Sequence, residues 1–176
     1  RRRNKALREH VAPDHEWQMP QGGIDDQEDA FLAAKRELAE ETGVSSVSLL
    51  AEASDWFAYD LPEDIAQEAW KGRYKGQRQK WFALRFEGEE SEINIDSPPD
   101  GLHAEFDAWR WSPYWIPLDV VIDFKREVYQ LALSELARFL TQGPRLLLMP
   151  WGTPIIGPRP GRAPRKTSRK PLKDIS

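Results

Sequence analysis

The stretch from Gly22 to Val44, GGIDDQEDAFLAAKRELAEETGV, constrains this chain more than any other. Its middle carries a helical period, with Ala30, Phe31, Ala34 and Leu38 recurring at three- and four-residue spacing to form one apolar stripe. Asp25 or Asp26 is placed to cap the start, with Glu28 or Asp29 three residues later in the reciprocal position. Gly43 follows the last turn, where a left-handed residue commonly ends a helix. The charges oppose that helix. Glu37, Glu40 and Glu41 crowd a last turn whose macrodipole is already negative, and their spacing puts all three on one side. Each like-charge pair costs roughly a few tenths of a kcal/mol, and the dipole adds about as much.

A bound divalent cation reverses the sign of each of these effects. Carboxylates, carbonyls and water are the ligands that magnesium and manganese favour. Gly22-Gly23 lets a backbone carbonyl approach the same ion, because glycine tolerates unusual dihedrals. Arg36 stands four residues before Glu40 and can hold a carboxylate in a two-pronged fork. The competing reading is an acidic helix face turned to solvent.

The spacing itself is a known one. Gly22, five residues, Glu28, seven residues, Arg36-Glu37, the aliphatic Leu38, Ala39, Glu40-Glu41, Thr42, Gly43 and the aliphatic Val44 fill every fixed position of the Nudix box. The chain therefore resembles the Nudix hydrolases. Three further stretches are similar to one bacterial subgroup, the RNA pyrophosphohydrolases and the related dinucleoside polyphosphate hydrolases. They are Trp17 to Ile24 (WQMPQGGI), Gly76 to Phe82 (GQRQKWF) and Glu105 to Trp111 (EFDAWRW). A fourth, Val121 to Tyr129 (VIDFKREVY), matches the start of that subgroup's last helix. The resemblance covers roughly Glu16 to Leu140.

It implies an α/β (α+β) fold in which a mixed sheet lies between helices. It also implies hydrolysis of a phosphoanhydride with a divalent metal, magnesium first, with manganese or zinc as alternatives. The metal ligands implied are Glu37, Glu40, Glu41 and the Gly22 carbonyl, with Glu105 from outside the box. Glu37 is the implied base that activates water, Glu105 being the alternative. Glu28 steadies the loop before the helix and Arg36 orients the glutamates, while Gly23 and Gly43 support the motif. The subgroup holds a nucleobase near an aliphatic-x-Phe-Lys segment, here Ile122, Phe124 and Lys125. Gln77, Arg78, Gln79, Lys80 and Arg126 complete the expected substrate contacts. The favoured substrate is the 5′-triphosphate end of RNA, cut to a monophosphate. A dinucleoside polyphosphate is the alternative, and an RNA- or nucleotide-binding module without catalysis is the reading from another class.

Elsewhere, periodicity predicts short strands over Trp17–Gly23, Val47–Ala51, Asp55–Leu61 and Glu105–Trp111, and a central strand over Trp81–Phe86. In the central strand Gln77, Gln79 and Trp81 face one way, Arg78 and Lys80 the other. Trp17, Trp81, Trp109 and Trp111 are expected in the core. Glu63–Trp70 reads as a short helix, and Phe124–Leu140 as an amphipathic one with Val128, Leu131, Ala132, Leu136 and Leu140 on its apolar face. Residues 1–142 make the expected domain, its first strand missing from the polar start; residues 143–176, rich in Pro and Gly and then basic, are expected to be a disordered tail.

Composition narrows the alternatives. The chain has no cysteine, which excludes disulfides, cysteine-bound zinc, iron–sulfur clusters and thiol catalysis. No apolar run approaches the ~20 residues that span a bilayer, and the basic start lacks the apolar core of a secretory signal. A cytoplasmic monomer is the expectation, with no membrane partner. The net charge of −4 is unevenly spread, so basic segments at 71–80 and in the tail could meet a polyanion locally.

Overall fold

The structure is a computed structural model that describes residues 17–70, 74–96, 104–142 and 146–156, with the backbone alone at 68–70, 140–142 and 146–156. Expectations for residues 1–16, 71–73, 97–103, 143–145 and 157–176 lie outside it.

Four strands form one sheet around a long central member. The elements in chain order are α1 (Ala30–Thr42), β1 (Val47–Glu52), β2 (Phe57–Asp60), α2 (Glu63–Trp70) and β3 (Tyr74–Phe86). After these come α3 (Pro117–Val120), α4 (Arg126–Leu136) and β4 (Leu146–Ile156). Strands β1 and β2 lie end to end along one side of β3, β1 against Phe82–Phe86 and β2 against Gly76–Gln79. Strand β4 runs along the other side, and every one of these pairings is antiparallel.

The alternation of β3 sorts the core into two layers. Trp81 and Ala83 point to one face and pack with Val128, Tyr129, Ala132, Leu133 and Leu136 of α4. Phe82, Leu84 and Phe86 point to the other and pack with Ala34 and Leu38 of α1. Covering both faces explains why residues 79–84 of β3 form an unbroken buried run rather than a one-sided pattern. The sheet thus lies between helices, as expected, but its described pairings are all antiparallel where a mixed sheet was expected.

Helix α1 follows its stripe: Ala34 and Leu38 are buried and the helix stops at Gly43, which has φ 76° and donates its N–H to Ala39 O at 2.9 Å. Its start is later than expected. Asp29, not Asp25 or Asp26, caps it by accepting from Phe31 and Leu32 N–H. Asp25 and Glu28 instead close the turn before it, where Asp25 N–H donates to Glu28 Oε2 and Glu28 N–H to Asp25 O.

Three expected elements differ. Trp17–Gly23 is not a strand, because its N–H groups go to side chains: Met19 to Tyr129 Oη, Gln21 to Glu41, Gly23 to Glu37. Pro20 has no N–H to give. Glu105–Trp111 holds only an isolated bridge at Phe106; Phe106 is buried, while Trp109 and Trp111 stand 40% and 36% exposed, so of the four expected core tryptophans Trp81 alone is fully buried. In α4, Leu131 is exposed and Tyr129 and Leu133 take its place on the buried face.

The segment after residue 142 was expected to have no order, yet Leu146–Ile156 forms β4. Its Leu146-Leu147-Leu148-Met149 run suits a strand, and Pro150 and Pro154 are tolerated because, among the described residues, β4 pairs with β3 alone and lies at an edge.

Candidate metal and nucleotide site

Arg36 organises the acidic end of α1. Its guanidinium forks onto Glu28, with Nε to Oε1 and Nη2 to Oε2, both at 2.9 Å. Nη1 then reaches Glu37 Oε1 at 3.0 Å and Glu40 Oε2 at 3.3 Å, and Nη2 also donates to Gly23 O at 3.2 Å. One cation therefore ties the pre-helix loop to two carboxylates of the last turns. The hydrogen bond from Arg36, then that from Asp25 N–H, lowers the Glu28 carboxyl to about 2. Arg36 itself is driven further above its ordinary value by Glu28 first.

Glu37 and Glu41 are the two glutamates turned inward. Glu37 Oε1 accepts from Gly23 N–H at 3.0 Å, and burial pushes its carboxyl above the ordinary carboxylate value, opposed by Arg36 and Gly23. Glu41 is 9% exposed and accepts from Gln21 N–H at 3.0 Å. A Cβ placed on Gly22 would run into the Glu37 carboxyl, so only glycine lets the loop come this close. Among the described residues these carboxylates are not gathered as a group of three around one point, each being turned onto Arg36 or a loop N–H. As a donor set, three carboxylates beside a Cβ-free backbone corner still fit a hard divalent cation.

A second cluster lies on the other side of Gln21. Lys125, 6% exposed, donates from Nζ to Gln21 Oε1 at 2.9 Å and sits 5.7 Å from the centroid of the Tyr59 ring. The Tyr59 and Phe124 rings are 5.6 Å apart and tilted. Gln79 Nε2 donates to Gln77 Oε1 at 2.9 Å and to Gln21 Oε1 at 3.5 Å, and Tyr59 Oη donates to Gln77 Oε1 at 2.8 Å. Gln77, Gln79, Phe124 and Lys125 are thus brought together.

Other expected contacts point elsewhere. Lys80 lies on the opposite face of β3 from Gln79, ion-paired to Glu52 at 3.0 Å and bonded to Ser54 O at 3.3 Å. Arg78 stacks over Trp56 at 4.6 Å. The exposed Arg126 lies 3.7 Å from Asp119. Ile122 packs against the α4 layer of the core, and Glu105 is exposed beside Phe106. Two participants were not singled out from the sequence. Gln21 could have been noticed as an amide between Pro20 and the diglycine, whereas Tyr59 has no local signal beyond its strand alternation.

The family model for the NUDIX domain matches residues 2–132. An RNA pyrophosphohydrolase of Bradyrhizobium sp. is 57% identical over 130 residues, 73% of this chain and 77% of that protein. Proteins of the same name from Rhodopseudomonas palustris (55% over 130 residues, 74% and 77%) and Nitrobacter winogradskyi (56% over 129 residues, 73% and 76%) are similar to it. The matched family, the filled box and the geometry at its acidic helix end lead to one statement: this chain belongs to the Nudix hydrolases, enzymes that cleave phosphoanhydrides with a divalent cation.

Proposed function

We propose that this chain removes pyrophosphate from the 5′-triphosphate end of RNA and leaves a 5′-monophosphate, using magnesium. One observation carries the reading. The acidic end of α1 and the aromatic corner of Tyr59, Phe124 and Lys125 meet through a single residue, Gln21, so a site for phosphates adjoins a site for a base. Relatives more than half identical are named RNA pyrophosphohydrolases.

Phosphoanhydride hydrolysis asks for positioning and charge stabilisation more than for a covalent intermediate. Glu37, Glu40, Glu41 and the Gly22 carbonyl are the groups that would hold the ion, with Glu105 as the candidate from outside the box. When bound, a divalent cation neutralises phosphate charge and makes water a better nucleophile. Glu37, half-buried and steadied by Arg36 and Gly23 N–H, takes the proton of the attacking water at its carboxylate. Arg36 bridges Glu37 and Glu40 from one nitrogen and so holds both carboxylates in place despite their like charge. The Phe124 and Tyr59 rings stack on the terminal base, a contact that contributes ~1–3 kcal/mol. Lys80, turned away, stabilises the sheet instead.

The test is direct. The protein is incubated with 5′-triphosphate RNA and, separately, with diadenosine tetraphosphate, each with and without magnesium. Magnesium-dependent pyrophosphate release from RNA at the higher rate supports the proposal. A faster cut of diadenosine tetraphosphate assigns the smaller substrate, and no turnover of either sinks both.

A further inference from the structure

Gln21 holds both halves of the site at once. Its backbone N–H donates to Glu41 Oε2 at 3.0 Å, and its side-chain Oε1 accepts Lys125 Nζ at 2.9 Å. An ammonium group can only donate, so this bond fixes which end of the Gln21 amide is oxygen. The order then propagates. Gln79 Nε2 must face Gln21 Oε1, Gln77 Oε1 must face Gln79, and Tyr59 Oη must donate to Gln77. The polarity of four side chains is therefore set from Lys125. Its cost is visible at Gln79, wholly buried, whose Oε1 accepts no hydrogen bond among the described residues. The network reaches Tyr59, whose ring lies against Phe124 and under Lys125.

We propose that Gln21 is a positioning residue for recognition of the terminal base: it locks Lys125 and, through Gln79 and Gln77, the Tyr59 ring into one arrangement, in register with the glutamate that its backbone holds. The inference rests on the reading of Phe124 and Lys125 as the base corner. It predicts that Gln21 acts through Lys125 and not through the phosphates.

The experiment is a double-mutant cycle in binding, with Gln21→Met, Lys125→Met, the double variant and Gln21→Glu. The Gln21 variants keep the backbone N–H to Glu41. Affinity is measured by calorimetry with magnesium for two probes. One is the nonhydrolysable adenosine triphosphate analogue with a methylene between the β and γ phosphorus atoms; the other is inorganic triphosphate, which has no base. Each single variant is expected to bind the nucleotide about tenfold more weakly, with the double variant no weaker than either, as for one lost charge-assisted bond. Gln21→Glu keeps an acceptor for Lys125 and restores binding to within about threefold. Inorganic triphosphate binds all variants alike. Additive losses, an equal loss for inorganic triphosphate, or no recovery with glutamate would each overturn the assignment, as would a wild type that does not bind the nucleotide. Coupled binding without pyrophosphate release from RNA leaves Gln21 in its role and removes the RNA substrate. Turnover of RNA with additive losses does the reverse.

Discussion

Gly22 and Glu37 are in contact across the loop–helix corner so closely that a methyl group on Gly22 would occupy the space of the Glu37 carboxyl. The clash falls on the far end of a flexible side chain, so the fold can relieve it by moving Glu37. The chemistry cannot, because misplacing a reacting group by ~1 Å can cost about 100-fold. Gly22→Ala is therefore expected to lower kcat/KM about 100-fold while the melting temperature stays near wild type. Gly23→Ala, whose added carbon meets nothing within 4 Å, serves as the contrast and should keep most of the activity. Kinetics and melting curves of the two variants check this.

The Arg36–Glu28 fork predicts a pH dependence. Glu28 is lowered from 4.5 to about 2 in the folded chain, so it binds its proton less readily folded than unfolded. Its contribution is present above the ordinary carboxylate value and is lost as pH falls from about 4.5 to about 2. Glu28→Gln has no such proton to bind. Its melting temperature should fall less steeply than that of wild type over that window, and parallel slopes would count against the role given to the fork.

Gly43 ends α1 in the left-handed region at φ 76°, and an added Cβ would stand 2.9 Å from Glu92 O. Gly43→Ala should cost about 1–2 kcal/mol of stability from the backbone alone. Chemical denaturation measures it, with the change read in the midpoint.

Charge at the same helix end makes a further prediction. Without metal, Glu40→Gln removes a like charge from the negative end of α1 but also the Arg36 ion pair, so the two effects, each roughly a few tenths of a kcal/mol, nearly cancel. With magnesium wild type becomes the more stable, because it gains stability by mass action and the variant gains less. Melting curves with chelator and with magnesium test both halves.

How far the residues alone reveal this arrangement differs by element. The box helix was readable because its signals are local: the stripe of Ala34 and Leu38, the stop at Gly43, and acids where a helix should carry bases. The first cap was misplaced because four acidic candidates occur within five positions and propensity cannot rank them; the Arg36 fork claims Glu28 and leaves Asp29 to cap. Trp17–Gly23 alternates like a strand, but long-range partners such as Tyr129 and Glu41 take its N–H groups. Strand β4 was hidden by its prolines, which only an edge position accommodates. Period-two alternation put Lys80 and Gln79 on opposite faces of β3, yet it does not say which face meets the site. Gln21 escaped notice since its partners are 20, 58 and 104 positions away.

The acid-rich end of α1 is where a divalent ion and the phosphoanhydride are to meet. Pyrophosphate release from 5′-triphosphate RNA by wild type and Glu37→Gln, with magnesium and with chelator, decides it. Wild type should release pyrophosphate with magnesium alone, and the folded variant should do so at least ~100-fold more slowly. Release by Glu37→Gln at the wild-type rate, or by wild type in chelator, would contradict it.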